Sequence, residues 1–217
     1  MNCLQVKALL VGDDFHFGAQ RRGNFALLQQ ASQQYGFTVE AMHSISLGCA
    51  TRISSTELRT ALARGDLNHA NSLLGRRYTL SGRVVHGQKL GRQLGFPTAN
   101  IHVKHNRLPL TGIYAVRVYG ISDEPLQGAA SLGTRPTVEA QGKASVEVFL
   151  LDFSQDIYGQ TVTLEFMHYL RPEARYPDLA TLTAQITADV AAVRAFFATC
   201  NAPVLRPTKG ADDEQIF

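Results

Sequence analysis

Cysteine is scarce in this chain of 217 residues, which holds only Cys3, Cys49 and Cys200. They are odd in number and widely spaced, which excludes a disulfide framework and the paired spacing of a zinc site. A reducing cytoplasm is therefore the expected compartment. No apolar run approaches the roughly 20 residues that cross a bilayer. At the N-terminus, one short apolar run is followed by two acids, so this segment is a poor secretion signal.

An excess of charge of one sign is also lacking. Lys and Arg number 21 against 18 Asp and Glu, which gives a net charge of +3. Such a mildly basic chain suits an enzyme that binds anionic phosphates. Without a basic stripe or an RNP-like aromatic pair it does not predict nucleic-acid binding. We expect small-molecule partners and neither nucleic acid nor membrane, and the sequence leaves the oligomeric state open.

What the chain does have is a globular balance, with 45% hydrophobic and 18% charged residues, and a change of pattern near residue 75. Before that point, short apolar runs alternate with helical stretches that end at glycines, which predicts part of an open α/β sheet over residues 1–75. Residues 76–200 show period-two strands and then a helix capped by Asp178, which predicts a small antiparallel barrel with one covering helix. Residues 201–217 have no periodicity and are predicted to be disordered.

The densest chemical pattern is HGQKLGRQLGFPTAN, which spans residues 86–100. Three glycines stand at steps of four, with two cations between them. Glycine lets backbone N–H groups approach an anion closely, and the cations would neutralise phosphate charge. Thr98 and Asn100 point to the same side of an extended chain and offer oxygen ligands that Mg²⁺ accepts beside phosphate. A glycine-rich hairpin with solvated charges is the alternative. The glycines are Gly87, Gly91 and Gly95, and the cations are Lys89 and Arg92.

Glu147 is the second candidate, because it interrupts an otherwise apolar strand, Ser145–Leu151. Burying a carboxylate is costly, so such a residue needs a reason to be there. Beside a bound nucleotide it could accept the proton of an attacking alcohol as a general base. A solvated, outward-facing glutamate is the alternative. Arg171 could face the same site or the solvent, and Phe153 could stack on a planar ligand or pack on the core.

Together these segments resemble the prokaryotic bifunctional riboflavin kinase/FMN adenylyltransferases (FAD synthetases). The resemblance extends from about Val6 to Phe197, and it is most specific in Gly82–Ile101, Gly133–Thr137 and Ser145–Phe153. It implies an α/β, Rossmann-like partial nucleotidyltransferase segment. A mainly-β, six-stranded antiparallel barrel of the riboflavin kinase type with a C-terminal helix would follow.

The resemblance implies a kinase that transfers the γ-phosphoryl group of ATP to the 5′-hydroxyl of riboflavin, giving FMN, with Mg²⁺ as cofactor. In that family the equivalent of Glu147 is the catalytic base, and the equivalents of Thr98 and Asn100 bind the Mg²⁺–phosphate group. Flavin contacts are implied for Asn100, Arg171 and Phe153. Contacts to ATP and its phosphates are implied for Gly87, Lys89, Gly91, Arg92, Gly95, Pro97 and Thr98.

The sequence departs from the family in its first part, because it contains no HxGH motif. In the family this motif stabilises the adenylyl group that is transferred to FMN. We therefore expect FAD synthesis to be lost or very weak, and a non-catalytic flavin- or nucleotide-binding remnant is the alternative for the whole chain. The residual adenylyltransferase positions are Asp13, Asp14, Phe15, Ser54, Ser55, Thr56 and Arg59. The last four gather at a helix start, where a simple cap would explain them equally well.

Overall fold

The computed structural model describes residues 6–12, 14–42, 46–47, 51–52, 54–87, 90–104, 108–135 and 143–200. Asp13, Lys89 and the predicted disordered tail, 201–217, lie outside these ranges. The chain divides into two compact units, Met1–Ser54 and Ser55–Phe217. In the described ranges, we find no helix with the length and apolar character needed to cross a membrane.

The first unit is built on a parallel strand pair. Asn24 caps the connecting helix, since its side chain accepts a hydrogen bond from the Leu27 N–H at 3.0 Å, and Gly36 ends the helix with φ 69°. This strand–helix–strand order confirms the predicted α/β segment. The elements are β1 (Ala8–Gly12), a 3-10 turn (Ala19–Arg21), α1 (Phe25–Tyr35), β2 (Thr38–Met42), β3 (Ser46–Leu47) and β4 (Thr51–Arg52). The strands β1 and β2 pair in parallel, and β3 and β4 pair antiparallel.

Two short helices, α2 (Ser55–Ala63) and α3 (Leu67–Leu74), open the second unit. The sequence pattern places the domain boundary near residue 75, whereas the compact units divide between Ser54 and Ser55. The reason for the difference is burial: apolar residues of α2 and α3, among them Leu62 and Ala70, belong to the same core cluster as the barrel strands. The domain bounds 1–75 and 76–200 stay a prediction.

Six antiparallel strands close into a barrel in the order β10–β5–β6–β9–β8–β7. This confirms the small antiparallel barrel that the period-two pattern predicted and the six strands that the resemblance implied. The strands are β5 (Thr79–Val85), β6 (Thr98–His102), β7 (Gly112–Tyr119), β8 (Leu126–Arg135), β9 (Lys143–Leu150) and β10 (Thr161–Arg171). Between β5 and β6, the glycine-rich segment contains a short helix, α4 (Leu90–Gln93), that the sequence did not predict. The covering helix, α5 (Leu179–Thr199), is capped by Asp178, whose side chain accepts from the Thr181 N–H at 2.7 Å.

Strand alternation decides which side chains point out of the barrel. Ile101 of β6 and Val146 and Val148 of β9 are buried in the interior cluster. Because successive side chains point to opposite faces, Thr98, Asn100 and Glu147 lie on the outer face. The helix α5 packs on the outer wall through a separate cluster of Ala115, Leu151, Val193 and Phe197. Leu182 and Ile186, nearer the start of this helix, line a cavity that Thr98 and Glu147 also line.

A charge network is buried in the wall away from that face. Glu165 is 2% exposed, and its carboxylate lies 3.3 Å from Arg77 Nη1 and 3.9 Å from Arg117 Nη1. The hydroxyl of Tyr119 donates to the same carboxylate at 2.7 Å. The pKa of Tyr119 is raised to about 12, mainly by burial and to a smaller extent by this hydrogen bond. These contacts compensate a charge that the alternating pattern of β10 would place in solvent.

Candidate active site

Glu147 and Thr98 meet on neighbouring strands at the outer face of the barrel. The hydroxyl of Thr98 donates to Glu147 Oε2 at 3.3 Å, and Ser145 Oγ lies 3.5 Å from the other carboxylate oxygen. The register places Glu147 opposite Asn100 on β6 and opposite Ser131 on β8. A carboxylate, three hydroxyls and an amide therefore share one patch. The two halves of the predicted site, the glycine-rich segment and the β9 acid, lie on the same side of the wall.

The glycines bring the backbone of the β5–β6 connection against this patch. A Cβ on Gly87 would overlap the amide of Asn100, and a Cβ on Gly91 would overlap the Phe96 carbonyl and stand 3.3 Å from Thr98 Oγ1. Gly95 adopts φ +84°, a left-handed conformation that side chains rarely take. The spacing of the glycines thus permits close packing against Thr98 and Asn100, whatever ligand the loop holds.

A first cavity, of about 240 Å³, lies between the outer wall and α5, and we call it the helix-side pocket. Most of its lining is apolar, including Phe149, Leu182 and Ile186. Thr98 and Glu147 also line it. A mainly apolar cleft with a few convergent polar groups is the usual form of a site for a small organic ligand.

Arg171 also lines the helix-side pocket, but its guanidinium is held by α5. Its Nε donates to Asp189 Oδ1 at 2.8 Å and its Nη2 donates to Oδ2 at 2.5 Å. This bidentate pair raises the pKa of Arg171 above its usual value. Asp189 is buried and accepts a further hydrogen bond from Gln185 at 3.0 Å. Arg171 therefore joins β10 to α5, and its predicted flavin contact stays a prediction.

A second cavity, of about 450 Å³, opens near the β5–β6 connection, and we call it the loop-side pocket. Arg92, Pro97 and Thr98 line it together with Phe153 and Tyr158. The rings of Tyr158 and His86 are 3.8 Å apart. Phe153, predicted to contact a flavin, lies here and does not line the pocket that contains Glu147. The sequence had grouped these residues in one site, and the structure distributes them between two pockets.

Glu173 is a site residue that the sequence analysis missed. It follows β10 and lines the helix-side pocket. Its carboxylate lies so close to Gly133 of β8 that a Cβ there would overlap both oxygens. Burial raises the pKa of Glu173, Arg171 lowers it, and Glu147 raises it again. Nothing local marks this residue, because its neighbourhood is created by β8 and β9, far away in the sequence.

The predicted adenylyltransferase residues divide between the two compact units. Asp14 and Phe15 follow β1 in the first unit, where the rings of Phe15 and Phe17 stack with centroids 5.7 Å apart. Ser55 opens α2 in the second unit, and it accepts a hydrogen bond from Arg59 Nη1 at 3.4 Å. This contact joins residues four apart within α2, and the adenylyltransferase role of the cluster stays a prediction. The cluster also includes Ser54, just before the helix, and Thr56, within it.

The donor set beside Glu147 suits a magnesium ion that is shared with phosphates. Thr98 and Asn100 supply uncharged oxygen donors on one face, and Glu147 adds a carboxylate next to them. Hard oxygen ligands of this kind fit Mg²⁺, which commonly takes one or two protein groups together with substrate phosphates and waters. Within the described ranges, no cluster of three or more His, Cys, Asp or Glu residues could hold a metal ion. The oxygens of Thr98 and Asn100 beside the Glu147 carboxylate are the groups that fit such a cation.

Comparison with known proteins identifies the family to which the chain is similar. The family model for riboflavin kinase matches residues 74–197, and the model for FAD synthetase matches residues 1–57. The bifunctional riboflavin kinase/FMN adenylyltransferase of Haemophilus influenzae is 50% identical over 91% of this chain and 63% of its own length. That of Pseudomonas fluorescens is 51% identical over 90% of this chain and 62% of its own length.

A solved structure matches most of the chain as well. The crystal structure of a macrolide-efflux protein from Streptococcus pneumoniae superposes with a TM-score of 0.64 at 31% identity, over 84% of this chain and 58% of that one. The chain thus spans about three fifths of the length of the relatives that it matches. The resemblance to the bifunctional enzymes is confirmed. Because the riboflavin kinase model matches more than half of the residues, the chain belongs to the riboflavin kinase family.

Proposed function

We propose that this chain is a riboflavin kinase, which transfers the γ-phosphoryl group of Mg-ATP to the 5′-hydroxyl of riboflavin and yields FMN and ADP. The observation that carries the proposal is the position of Thr98. It lines both the helix-side and the loop-side pocket and donates its hydroxyl to Glu147. Two ligands that occupy these pockets would meet at a threonine and a carboxylate, which is what transfer between a nucleotide and an alcohol requires.

The chemistry of the pockets supports one assignment of the two substrates. The loop-side pocket carries Arg92 and Pro97 of the glycine-rich segment and presents aromatic rings, which suits a nucleoside triphosphate. Gly91 of the same segment lines the helix-side pocket instead. The helix-side pocket is mainly apolar and contains Glu147, which suits a flavin with a hydroxylated side chain. In this assignment Phe153 lies beside the nucleotide, whereas the resemblance implied a flavin contact for it, and that contact stays a prediction.

The transfer then follows from the arrangement of these side chains. The 5′-hydroxyl of riboflavin lies beside Glu147, whose carboxylate takes the proton as the oxygen attacks the γ-phosphorus. The bond from the γ-phosphorus to the bridging oxygen breaks, and ADP leaves with that oxygen. Thr98 and Asn100 would hold Mg²⁺, which neutralises charge on the phosphate oxygens. Positioning and electrostatics supply most of the rate, since phosphoryl transfer asks for little covalent chemistry from the protein.

Incubation of the purified chain with riboflavin and Mg-ATP tests the proposal directly. We expect FMN to appear in equal amount to ADP when the flavins and nucleotides are separated by chromatography. The FAD fraction of the same sample tests the separate expectation that adenylyl transfer is lost or very weak. A sample that binds riboflavin and ATP but forms no FMN would favour the non-catalytic remnant and would refute the kinase.

Replacing Gly87 by alanine is expected to lower kcat about 100-fold, as a displacement of about 1 Å in a positioned group can do. The added methyl would overlap the Asn100 amide and move it away from the phosphates. The measurement is the initial rate of FMN formation, with thermal unfolding to verify the fold.

Gly12→Ala is the matched control for this substitution. Among the described residues, the new Cβ would meet within 4 Å only a carboxylate oxygen of Asp14, at 3.0 Å, in the other compact unit. FMN formation should be unchanged in this control. A Gly87→Ala variant as active as the control would show that Asn100 needs no such placement.

A further inference from the structure

The carboxylate of Glu173 lies close to the proposed catalytic patch. Gly133 pairs with Ser145, and Ser131, two residues earlier on β8, pairs with Glu147. Residues two apart on a strand share a face, so Gly133 leaves a gap on the same outer face that carries Glu147. The carboxylate of Glu173 packs into this gap against the Gly133 backbone. Glu173 thus packs against the Gly133–Ser145 pair, which lies two residues along the strands from the Ser131–Glu147 pair.

The charge of the helix-side pocket is negative among its described lining residues. Four of them carry charge: Glu147, Asp189 and Glu173 as acids and Arg171 as the base. The bidentate contact with Asp189 neutralises the guanidinium of Arg171. With three acids and one base, these described lining residues carry excess negative charge. Glu173 is near enough to both neighbours that, after burial, Arg171 lowers its pKa and Glu147 raises it to a smaller extent.

We propose that Glu173 is a specificity-determining residue that favours an uncharged, hydroxyl-bearing acceptor in the helix-side pocket and disfavours its phosphorylated product. This inference rests on the proposed kinase function. A carboxylate accepts hydrogen bonds from alcohol groups at little cost. After transfer, the acceptor carries a phosphate dianion at the atom that lay beside Glu147, where a second carboxylate repels it. Glu173 thereby speeds release of the product and limits inhibition by it.

The direct test replaces Glu173 by glutamine, which keeps the shape and removes the charge. We expect the inhibition constant of FMN to fall about tenfold, as the loss of one nearby like charge allows. We expect KM for riboflavin to change by less than about threefold, because the uncharged acceptor feels little of that charge. Asp123→Asn is the matched control, since it removes one carboxylate charge from the exposed β7–β8 turn and should change neither value.

Gly133→Ala supplies a second, independent variant. Its methyl would overlap the Glu173 carboxylate, which is the far end of a flexible side chain and can move aside, so the fold should survive. FMN should again inhibit more strongly, and combining the two substitutions should add little to either alone, because both act on one carboxylate. If the double variant shows the sum of two independent effects, the packing against Gly133 has no part in discrimination.

Equilibrium binding separates failure of this inference from failure of the kinase assignment. Quenching of flavin fluorescence gives the affinities of riboflavin and FMN without turnover, and we expect the ratio favouring riboflavin to fall about tenfold in Glu173→Gln. A purely structural role would weaken both flavins together and leave the ratio unchanged. An unchanged ratio would therefore overturn the role of Glu173 even in an active enzyme. Absence of FMN formation by the unsubstituted chain would instead overturn the kinase.

Discussion

Glu147→Gln should reduce FMN formation by a factor of about 10² to 10⁴, the usual contribution of a positioned general base. Glutamine keeps the length of the side chain and can still accept the Thr98 hydrogen bond, but its amide cannot take the proton of the attacking hydroxyl. The loss should fall on kcat, with little change in the KM values of ATP and riboflavin, because the proton moves only in the transition state. Steady-state rates at saturating Mg-ATP measure it.

The matched control for this experiment is Glu124→Gln, in the exposed turn between β7 and β8. It removes the same charge from the same compact unit and should leave the rate of FMN formation unchanged. Affinity for ADP should also be similar in all three proteins, since Glu147 does not line the loop-side pocket. Normal turnover by Glu147→Gln would remove the carboxylate from the mechanism and leave only positioning by Thr98 and Asn100.

Glu165→Gln is expected to lower the free energy of unfolding by about 3 kcal/mol, since removing one charge of a buried ion pair is strongly destabilising. Arg117 is 7% exposed and would keep its charge in a wall from which water is excluded. The glutamine can still accept the Tyr119 hydroxyl, so the loss reports on charge more than on the hydrogen bond. Urea unfolding followed by circular dichroism measures it.

Asp152→Asn provides the comparison for stability. Asp152 and Arg194 form a short ion pair at 2.6 Å, but the Asp152 side chain is 73% exposed. Solvent screens such a pair, so the urea midpoint of this variant should match that of the unsubstituted chain. Equal midpoints for Glu165→Gln and Asp152→Asn would mean that the Glu165 network contributes no more than a surface contact.

Local chemistry made much of the fold predictable from the sequence. The α1 and α5 caps, at Asn24 and Asp178, follow from short polar side chains that bind free N–H groups, and alternation of apolar residues reveals the barrel strands. Glu165 shows where the same reasoning fails. Its alternating position suggests solvent, yet Arg77 and Tyr119 cover it, and these partners lie more than 40 residues away. A pattern of period two records which face a residue occupies but not what packs on that face.

The candidate site divides in the same way. Thr98, Asn100 and Glu147 were recognisable because their types suit magnesium, phosphate and proton transfer, and the structure brings them to one face. That Phe153 and Glu147 belong to different pockets could not be read from the sequence, since strand register and the position of α5 create the separation. Glu173 was invisible for the same reason.

Within the part of the chain that the structure describes, Thr98 is the one residue that borders both cavities. A substitution elsewhere in either lining therefore changes the contacts of one occupant and leaves those of the other in place. Over many generations, the choice of donor and the choice of acceptor can drift under separate selection. Thr98 is the exception, because a substitution there changes the contacts of both occupants.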